Sequence, residues 1–293
     1  MDLHIGGAEM KIRRALFSGS WYPSKASECE DSIKQFLGTA DRGTEEPAHE
    51  LCGGIVPHAG WYFSGKIACN VIHHLKGEKE PDVIIVFGMH LHKGNAGYIM
   101  PKGAWETPFG DIPVDEKLAE ELVEKFDFKI ETHDNFVQDN TIELQLPFIK
   151  YFFPDTKIVA MGVPPAKLAL EAGVFVAESS KRFGYSIKVL GSTDLTHYGP
   201  NYGFSPKGRG KAAHNWVRNE NDRRVIDKMV VMDPSAILAE AGENSNACCA
   251  GAVAAALAAG KALGAINAYE IAYATSYEKS PGDSFVGYTG IVF

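Results

Sequence analysis

Short apolar runs alternate with longer amphipathic segments along most of this chain. Apolar runs with the length of strands occur at residues 51–57 (LCGGIVP), 82–88 (DVIIVFG), 157–163 (KIVAMGV) and 186–192 (SIKVLGS). The continuous, β-branched composition of the second run is typical of a strand that is buried on both faces of a parallel sheet. Two further strand-like runs, 268–275 and 284–293, close the chain, and we expect that they can pair antiparallel.

Between these runs, apolar residues recur at the spacing of amphipathic helices. Helices are predicted at residues 27 to about 37, 67–75, 115–126, 141–153, 167–183, within 222–243, and 247–263. Asp115 can cap the third of them, and Pro147 should bend or interrupt the fourth. Residues 40–50 are predicted to form a loop. This alternation predicts an α/β fold: a single domain, residues 1–293, with a mostly parallel central sheet flanked by helices.

Composition and motifs exclude several classes of protein. The chain has 293 residues, of which 45% are hydrophobic, so it can form a proper core. Its net charge of −8 argues against nucleic acid or an anionic membrane surface as the main partner. The chain contains no GxGxxG, GxxxxGK[ST], HExxH or GxSxG motif, so the nucleotide and hydrolase sites with those signatures are not supported.

Three features of the sequence indicate the cellular compartment of the protein. Residues 1–14 lack the long apolar stretch of a signal peptide. The most apolar helix, 247–263, is too short and too rich in alanine for a membrane span. Five cysteines without a CxxC motif suit a reducing compartment, so we expect a cytoplasmic protein.

Side chains that can bind a metal follow three of the predicted strands. His58 comes just after the first strand, His90 comes just after the second, and Asp194 and His197 follow the fourth. Ligands of open α/β sheets bind in the crevice at the carboxyl ends of the strands. We therefore expect these four side chains to border one crevice.

Cys248 lies at the predicted start of the last helix, where Ser245 or Asn246 can act as the cap. In a first turn the helix dipole favours the thiolate, which is the form that binds metals or attacks electrophiles. Together with neutral imidazoles at His58 and His90, this thiolate would suit Fe, Cu or Zn. Three protein ligands would also leave positions open for water or substrate.

Each of these residues also has a simpler structural explanation. A histidine after a strand can hydrogen-bond a turn, and an aspartate close to a turn histidine can be an ordinary cap. A small buried cysteine can pack against alanines, an interpretation that fits Cys249 better than Cys248. Glu143 can be a hydrogen-bond acceptor close to the site or a first-turn carboxylate of its helix. The combination of residues, more than any one of them, indicates a metal site.

Eight segments spread along the chain match one known family. They are RRALFSGSWYP, GGIVPHAGWYFSG, VFGMHLH, WETPFGDIPVD, TIELQLPF, GSTDLTHYG, NACCAGA and VGYTG. In this order they run from about residue 13 to 290, and the PHAGW, TPFG, IELQLPF and TDLTHYG blocks are specific together. The chain thus resembles the Memo-like family, also called AmmeMemoRadiSam system protein B.

The resemblance implies a fold similar to that of the class III extradiol dioxygenases, with a mononuclear metal in a crevice. The two metal histidines of the family correspond to His58 and His90, and its cysteine ligand corresponds to Cys248. Its pocket aspartate and histidine correspond to Asp194 and His197.

Two positions depart from the family pattern. Asn140 replaces a histidine, since the chain reads DNTIE where the family usually reads EHSIE, and the usual CG is CC at Cys248 and Cys249. Asn140 cannot perform any proton transfer that relatives assign to that histidine. A thiolate ligand, in place of the carboxylate of extradiol dioxygenases, shifts preference toward copper or toward iron in a different electronic state. Ring cleavage therefore does not follow from the fold.

Two enzymatic hypotheses follow. The first is a metal-dependent oxidoreductase that binds Fe(II) or Cu, with Zn as a further candidate, through His58, His90 and Cys248. Asp194 and His197 would then handle protons. The second is a dioxygenase-like enzyme that acts on an aromatic or other small organic substrate.

A third hypothesis is a non-catalytic binding module. The crevice would hold a small-molecule or peptide ligand, with Trp21, Trp61, Tyr62 and Tyr198 as contact surface. The system name of the family also implies a functional link to a radical-SAM protein and an AMMECR-type protein. The metal content of the purified protein separates this hypothesis from the two enzymatic ones.

Overall fold

Strands and helices alternate through residues 10–38 and 50–293, the residues that this computed structural model describes. The strands are β1 (Ile12–Arg13), β2 (Gly53–Val56), β3 (Val83–Gly88), β4 (Tyr98–Ile99), β5 (Ala104–Trp105), β6 (Ile112–Pro113), β7 (Lys129–Ile130), β8 (Lys157–Gly162), β9 (Ile187–Ser192), β10 (His197–Tyr198), β11 (Tyr269–Thr275) and β12 (Phe285–Val292). The helices are α1 (Ala26–Gly38), α2 (Lys66–His74), α3 (Glu116–Lys125), α4 (Asn140–Glu143), α5 (Leu146–Phe152), α6 (Lys167–Phe183), α7 (Lys211–Trp216), α8 (Asp222–Val230), α9 (Pro234–Asn244) and α10 (Ala250–Leu263). Residues 1–9, part of the signal-peptide argument, and nearly all of the predicted loop at 40–50 lie outside the described residues.

A large mixed sheet organises the molecule. Its strand order is β10-β12-β2-β9-β3-β8-β4-β7, and β11 also pairs with β12. The centre, from β2 through β9 and β3 to β8, is parallel. Strand β12 pairs antiparallel with β2, β10 and β11, as expected for the two closing runs. The predicted α/β fold with a parallel central sheet is confirmed, and antiparallel strands extend it at both sides.

The core lies between this sheet and the helices packed on it. Every residue of β3 and β9 is buried, as the continuous apolar runs predicted. The alanine-rich helix α10 packs closely against α6. A Cβ at Gly173 would lie only 2.2 Å from the carbonyl oxygen of Ala255, so this close approach requires glycine. Among the described residues, no helix has both the length and the apolar character that a bilayer crossing requires.

Two helix boundaries bear on the site. Pro147 stands in the first turn of α5 and separates it from α4, as expected. Helix α10, however, begins at Ala250 rather than near 247, and Ser245, the residue that caps the carboxyl end of α9, adopts a left-handed φ of 51°. The buried Asn246 donates its side-chain N–H to the carbonyl of Asn221 instead of capping α10. The two cysteines therefore lie in the turn that leads into α10.

Candidate metal centre

The carboxyl ends of three neighbouring strands form the floor of the site. Strands β2 and β3 both pair in parallel with β9, which lies between them. The chain leaves these strands toward His58, His90 and Asp194, so all three residues stand at one edge of the sheet. The ring centroids of His58 and His90 are 4.9 Å apart. The structure thus brings together residues that are far apart in the sequence.

Four side chains with metal-binding chemistry meet at this edge: His58, His90, Cys248 and Cys249. One donor atom from each lies within 4.8 Å of the others. The Nε2 atom of His58 is 3.3 Å from the Sγ of Cys248, and the two Sγ atoms are 3.8 Å apart. Imidazole nitrogen and thiolate sulfur are donors that Zn, Cu and Fe accept, so these residues fit a single transition-metal ion.

The imidazole of His58 is oriented by a short hydrogen-bond chain. Ser192 Oγ lies 2.7 Å from the carbonyl oxygen of Thr141, to which it donates its only proton. The same Oγ lies 3.0 Å from Nδ1 of His58 and must therefore accept from it. This chain fixes a proton on Nδ1 of His58 and directs Nε2 at Cys248, where a bound metal ion would replace the hydrogen bond between the two side chains.

His90 is held by Asp139, a residue that the sequence argument did not single out. One oxygen of Asp139 accepts hydrogen bonds from the backbone N–H of His90 at 3.1 Å and from its Nδ1 at 2.9 Å. The preceding residue, Met89, adopts a left-handed φ of 71°, which costs a non-glycine residue about 1–2 kcal/mol. Such strain is common at functional sites. A carboxylate just before the family block TIELQLPF was the signal that could have identified Asp139.

Burial and mutual hydrogen bonds set the charges of the cluster. Burial opposes ionisation of Cys248, but hydrogen bonds from Cys249, His58 and His90 hold the pKa of its thiol well below the ordinary value. Burial also opposes the charge of His90, but contacts with Asp139 and Cys248 raise its pKa to about 10. Burial opposes the charge of Asp139 as well, but its hydrogen bond with His90 lowers the pKa of its carboxyl to about 2. These contacts favour the thiolate of Cys248, which is the form that binds metals.

Asp194 connects the loop after β9 to two of the candidate ligands. Its Oδ1 accepts a hydrogen bond of 2.7 Å from the backbone N–H of His58. Its own backbone N–H donates to Cys248 Sγ at 3.3 Å, and its carbonyl oxygen accepts from the Cys248 N–H at 3.1 Å. Burial raises the pKa of the Asp194 carboxyl. Asp194 thus fixes the positions of His58 and Cys248 as well as lining the cavity above them.

An open cavity of about 620 Å³ lies over the cluster, and we call it the crevice. Its walls include His197 and Asn140. The ring of His197 makes an edge contact with Tyr202 at 5.0 Å between centroids. Asn140 donates its side-chain N–H to the carbonyl of His58 at 2.8 Å, so its amide supports the ligand loop. Among residues 10–38 and 50–293, His197 is the third imidazole that lines the crevice, beside His58 and His90.

The aromatic residues expected to form a contact surface divide into two pairs. Trp21 is 41% exposed and Tyr62 is 67% exposed, and both line the crevice. Trp61 is only 4% exposed and Tyr198 is fully buried, which corrects the expectation for these two. Trp61 stacks on Phe148 at 4.0 Å and belongs to the core.

Glu143 serves the amino-terminal segment instead of the metal site. Its two carboxylate oxygens accept hydrogen bonds from the backbone N–H groups of Leu16 at 2.9 Å and Phe17 at 2.7 Å. The phenol of Tyr22 donates a third bond at 3.0 Å. This buried carboxylate therefore anchors the chain before α1 against α4.

Comparisons with known proteins find relatives that match nearly the whole chain. A family model described as Memo-like protein matches residues 13–292. A MEMO1 family protein of Pyrococcus furiosus is 35% identical over 291 residues, which cover 96% of this chain and 98% of the relative. One of Pyrobaculum aerophilum is 31% identical over 293 residues, or 97% and 99% of the two chains. The solved structure of an uncharacterised protein of Escherichia coli K12 has a TM-score of 0.54 at 11% identity, over 83% of this chain and 99% of that one. At such low identity, that likeness shows the fold alone.

Proposed function

Because this chain belongs to the Memo-like family, we propose that it is an oxidoreductase with a mononuclear, non-heme metal at the floor of the crevice. The observation that supports this proposal is the position of His58, His90 and Cys248. Their donor atoms lie within 4.8 Å of one another, and His58 and His90 line a cavity that is open to solvent. Fe or Cu would be the ion for redox chemistry, with Zn as the non-redox alternative.

Each residue of the site has a separate task in this proposal. His58 and His90 present Nε2 because Ser192 and Asp139 hold their Nδ1 atoms. Cys248 supplies the thiolate. A bound Fe or Cu ion would supply one-electron or oxygen chemistry, whereas a Zn ion would supply only polarisation. His197, on the crevice wall, would donate a proton to the molecule bound in the crevice or accept one from it.

The aromatic residues around the crevice indicate what kind of molecule it would bind. Trp21 and Tyr62 offer exposed aromatic faces beside the cluster, and these suit a small organic molecule or a peptide side chain. The same faces favour a second candidate function, in which the crevice binds a peptide or small molecule without turnover. A dioxygenase-like activity has support from the fold alone, since Cys248 takes the place of a carboxylate ligand.

The proposal also includes a setting in the cell. We place the protein in the cytoplasm, because its five cysteines are all free. A functional link to a radical-SAM protein and an AMMECR-type protein belongs to the same proposal, on the basis of the family's system name.

Metal analysis tests the proposed function directly. Wild type, His58→Ala and the control His133→Ala would be purified without oxygen and analysed for bound elements. We expect close to one Fe or Cu ion per chain in wild type and control, and a strong loss in His58→Ala. Equal metal content in wild type and His58→Ala, or metal in neither, would contradict the proposal. If wild type carries only Zn, the metal site stands but the redox assignment fails.

A further inference from the structure

Cys249 is held in a specific place beside the candidate ligands. Its side chain is buried, at 3% exposure, and its backbone N–H donates to Thr193 Oγ1 at 3.1 Å. Its Sγ lies 3.8 Å from the Sγ of Cys248 and within 4.8 Å of the nearest donor nitrogens of His58 and His90. The sequence argument assigned this thiol to packing against alanines. The structure instead directs it toward the cluster.

The distances between donors can be compared with those of a tetrahedral site. Two metal–sulfur bonds of about 2.3 Å at the tetrahedral angle separate the sulfurs by about 3.8 Å. One such bond and a metal–nitrogen bond of about 2.0–2.1 Å separate sulfur and nitrogen by about 3.5–3.6 Å. The observed Sγ–Sγ separation of Cys248 and Cys249 is 3.8 Å, and Nε2 of His58 lies 3.3 Å from Cys248 Sγ. Both distances are close to the edges of such a tetrahedron.

Two neighbouring thiols can also form a disulfide bond. The short Cα–Cα distance between adjacent residues disfavours such a bond between Cys248 and Cys249. Bridged cysteines usually have Cα atoms about 4.4–6.8 Å apart. Adjacent residues have Cα atoms only about 3.8 Å apart. A bond between Cys248 and Cys249 would therefore be strained, whereas a shared metal ion accepts the sulfurs at the separation that they already have.

We propose that Cys249 is a fourth protein donor to the metal ion, so that the site has two sulfur and two nitrogen ligands. This set selects soft, tetrahedral ions, Cu(I) and Zn(II), over Fe(II). The inference rests on the proposed function, because it requires that His58, His90 and Cys248 hold an ion. It narrows the redox-active ion of that proposal from Fe or Cu to Cu.

The test counts the sulfur atoms around a bound ion. Metal-free wild type, Cys249→Ala and Cys249→Ser would be loaded anaerobically with Zn(II) or Cu(I), and X-ray absorption would report the ligands. Cys52→Ala is the matched control, since the thiol of Cys52 contacts the carbonyl of Gly260, away from the cluster. Co(II) would serve as an optical probe, because thiolate-to-cobalt charge-transfer absorption grows with the number of thiolates.

We expect two sulfurs per ion in wild type and Cys52→Ala, and one in both Cys249 variants. The charge-transfer absorption of the cobalt forms should fall by about half. Zn(II) affinity should fall at least about ten-fold in Cys249→Ala, and Fe(II) affinity should change less. The ratio of the two affinities is therefore a readout that does not depend on activity.

The outcomes distinguish this inference from the proposed function. One sulfur per ion in wild type, with Cys249→Ala unchanged, would overturn the role of Cys249 and leave the three-ligand site standing. If wild type binds none of the ions, both the inference and the proposed function are wrong. Should Cys249→Ala fail to fold, the sulfur count of wild type and the behaviour of Cys249→Ser decide the question.

Discussion

The backbone N–H of His58 donates a 2.7 Å hydrogen bond to Oδ1 of Asp194, a residue 136 positions further along the chain. Both partners are buried, so water cannot replace either side of this bond. The bond joins the loop after β2 to the loop after β9 at the point where His58 turns toward the cluster. The position of a candidate ligand therefore depends on a carboxylate that need not touch the ion.

We expect Asp194→Ala to weaken both stability and metal binding. The change leaves the buried His58 N–H without an acceptor, which should lower the free energy of unfolding by about 1–3 kcal/mol. Metal affinity should fall about 10–100-fold, as on loss of other groups that orient ligands. Urea unfolding and a metal titration measure the two effects. Asp194→Asn keeps an oxygen acceptor for the same N–H and should retain both properties; wild-type behaviour of the alanine variant would contradict this role.

Asp139→Asn should affect the metal site chiefly through His90, because the other carboxylate oxygen of Asp139 caps α4 by accepting from the backbone N–H of Thr141. The amide cannot match the charged acceptor that now holds Nδ1–H at 2.9 Å, so the orientation and tautomer of the imidazole are less well fixed. We expect metal affinity about 10–100-fold lower, measured by competition with a chelator. Asp134→Asn removes an exposed carboxylate that lies near His133 and serves as the control. Equal losses in the two variants would show that charge in this region, and not the contact with His90, matters.

His197→Ala tests the division between ligand and proton-transfer group. The imidazole lies on the crevice wall and is not one of the four clustered donors. Metal content should therefore stay at the wild-type level. Turnover that depends on oxygen or peroxide should fall by a factor of about 10² to 10⁴, the usual contribution of general acid–base catalysis. Loss of the metal in His197→Ala, with retention in His90→Ala, would exchange the roles of the two histidines.

The buried carboxyl of Asp222 should make stability depend on pH. Burial raises its pKa to about 6, although Thr196 and Tyr273 donate hydrogen bonds to it. The folded state thus binds this proton more tightly than the unfolded chain, whose aspartates have a pKa near 3.9. The contribution to stability is full below about pH 4, falls as pH rises to about 6, and is constant above. The loss amounts to about 3 kcal/mol.

Urea unfolding of wild type and Asp222→Asn at pH 4, 5, 6 and 7 measures this contribution. The difference in free energy of unfolding between the two proteins should shift by about 2 kcal/mol in favour of Asp222→Asn as pH rises from 4 to 7. Asp227→Asn, at an exposed position of the same helix, is the control. A difference that does not change with pH would show that Asp222 does not titrate in this range.

The sequence alone predicted the six longest strands, most of the helices and three of the clustered donors. Buried parallel strands are continuous apolar runs, so β2, β3, β8 and β9 could be recognised locally. His58 and His90 were identified because each follows such a run. Cys248 was identified because a small-residue helix follows it, although the start of that helix was placed too early. Family motifs along the chain then reinforced each of these assignments.

The tertiary structure decided which of these residues meet and what supports them. Local periodicity does not encode strand order, and the insertion of β9 between β2 and β3 is what brings Asp194 beside His58. The contact of Asp139 with His90 and the direction of the Cys249 thiol depend on loop paths that no short pattern specifies. The burial of Trp61 also depends on tertiary contacts, because the local sequence does not distinguish an aromatic side chain in the core from one that lines a crevice. Hydrophobic patterning acts between neighbours along the chain, whereas the site is formed by contacts between segments that are distant in it.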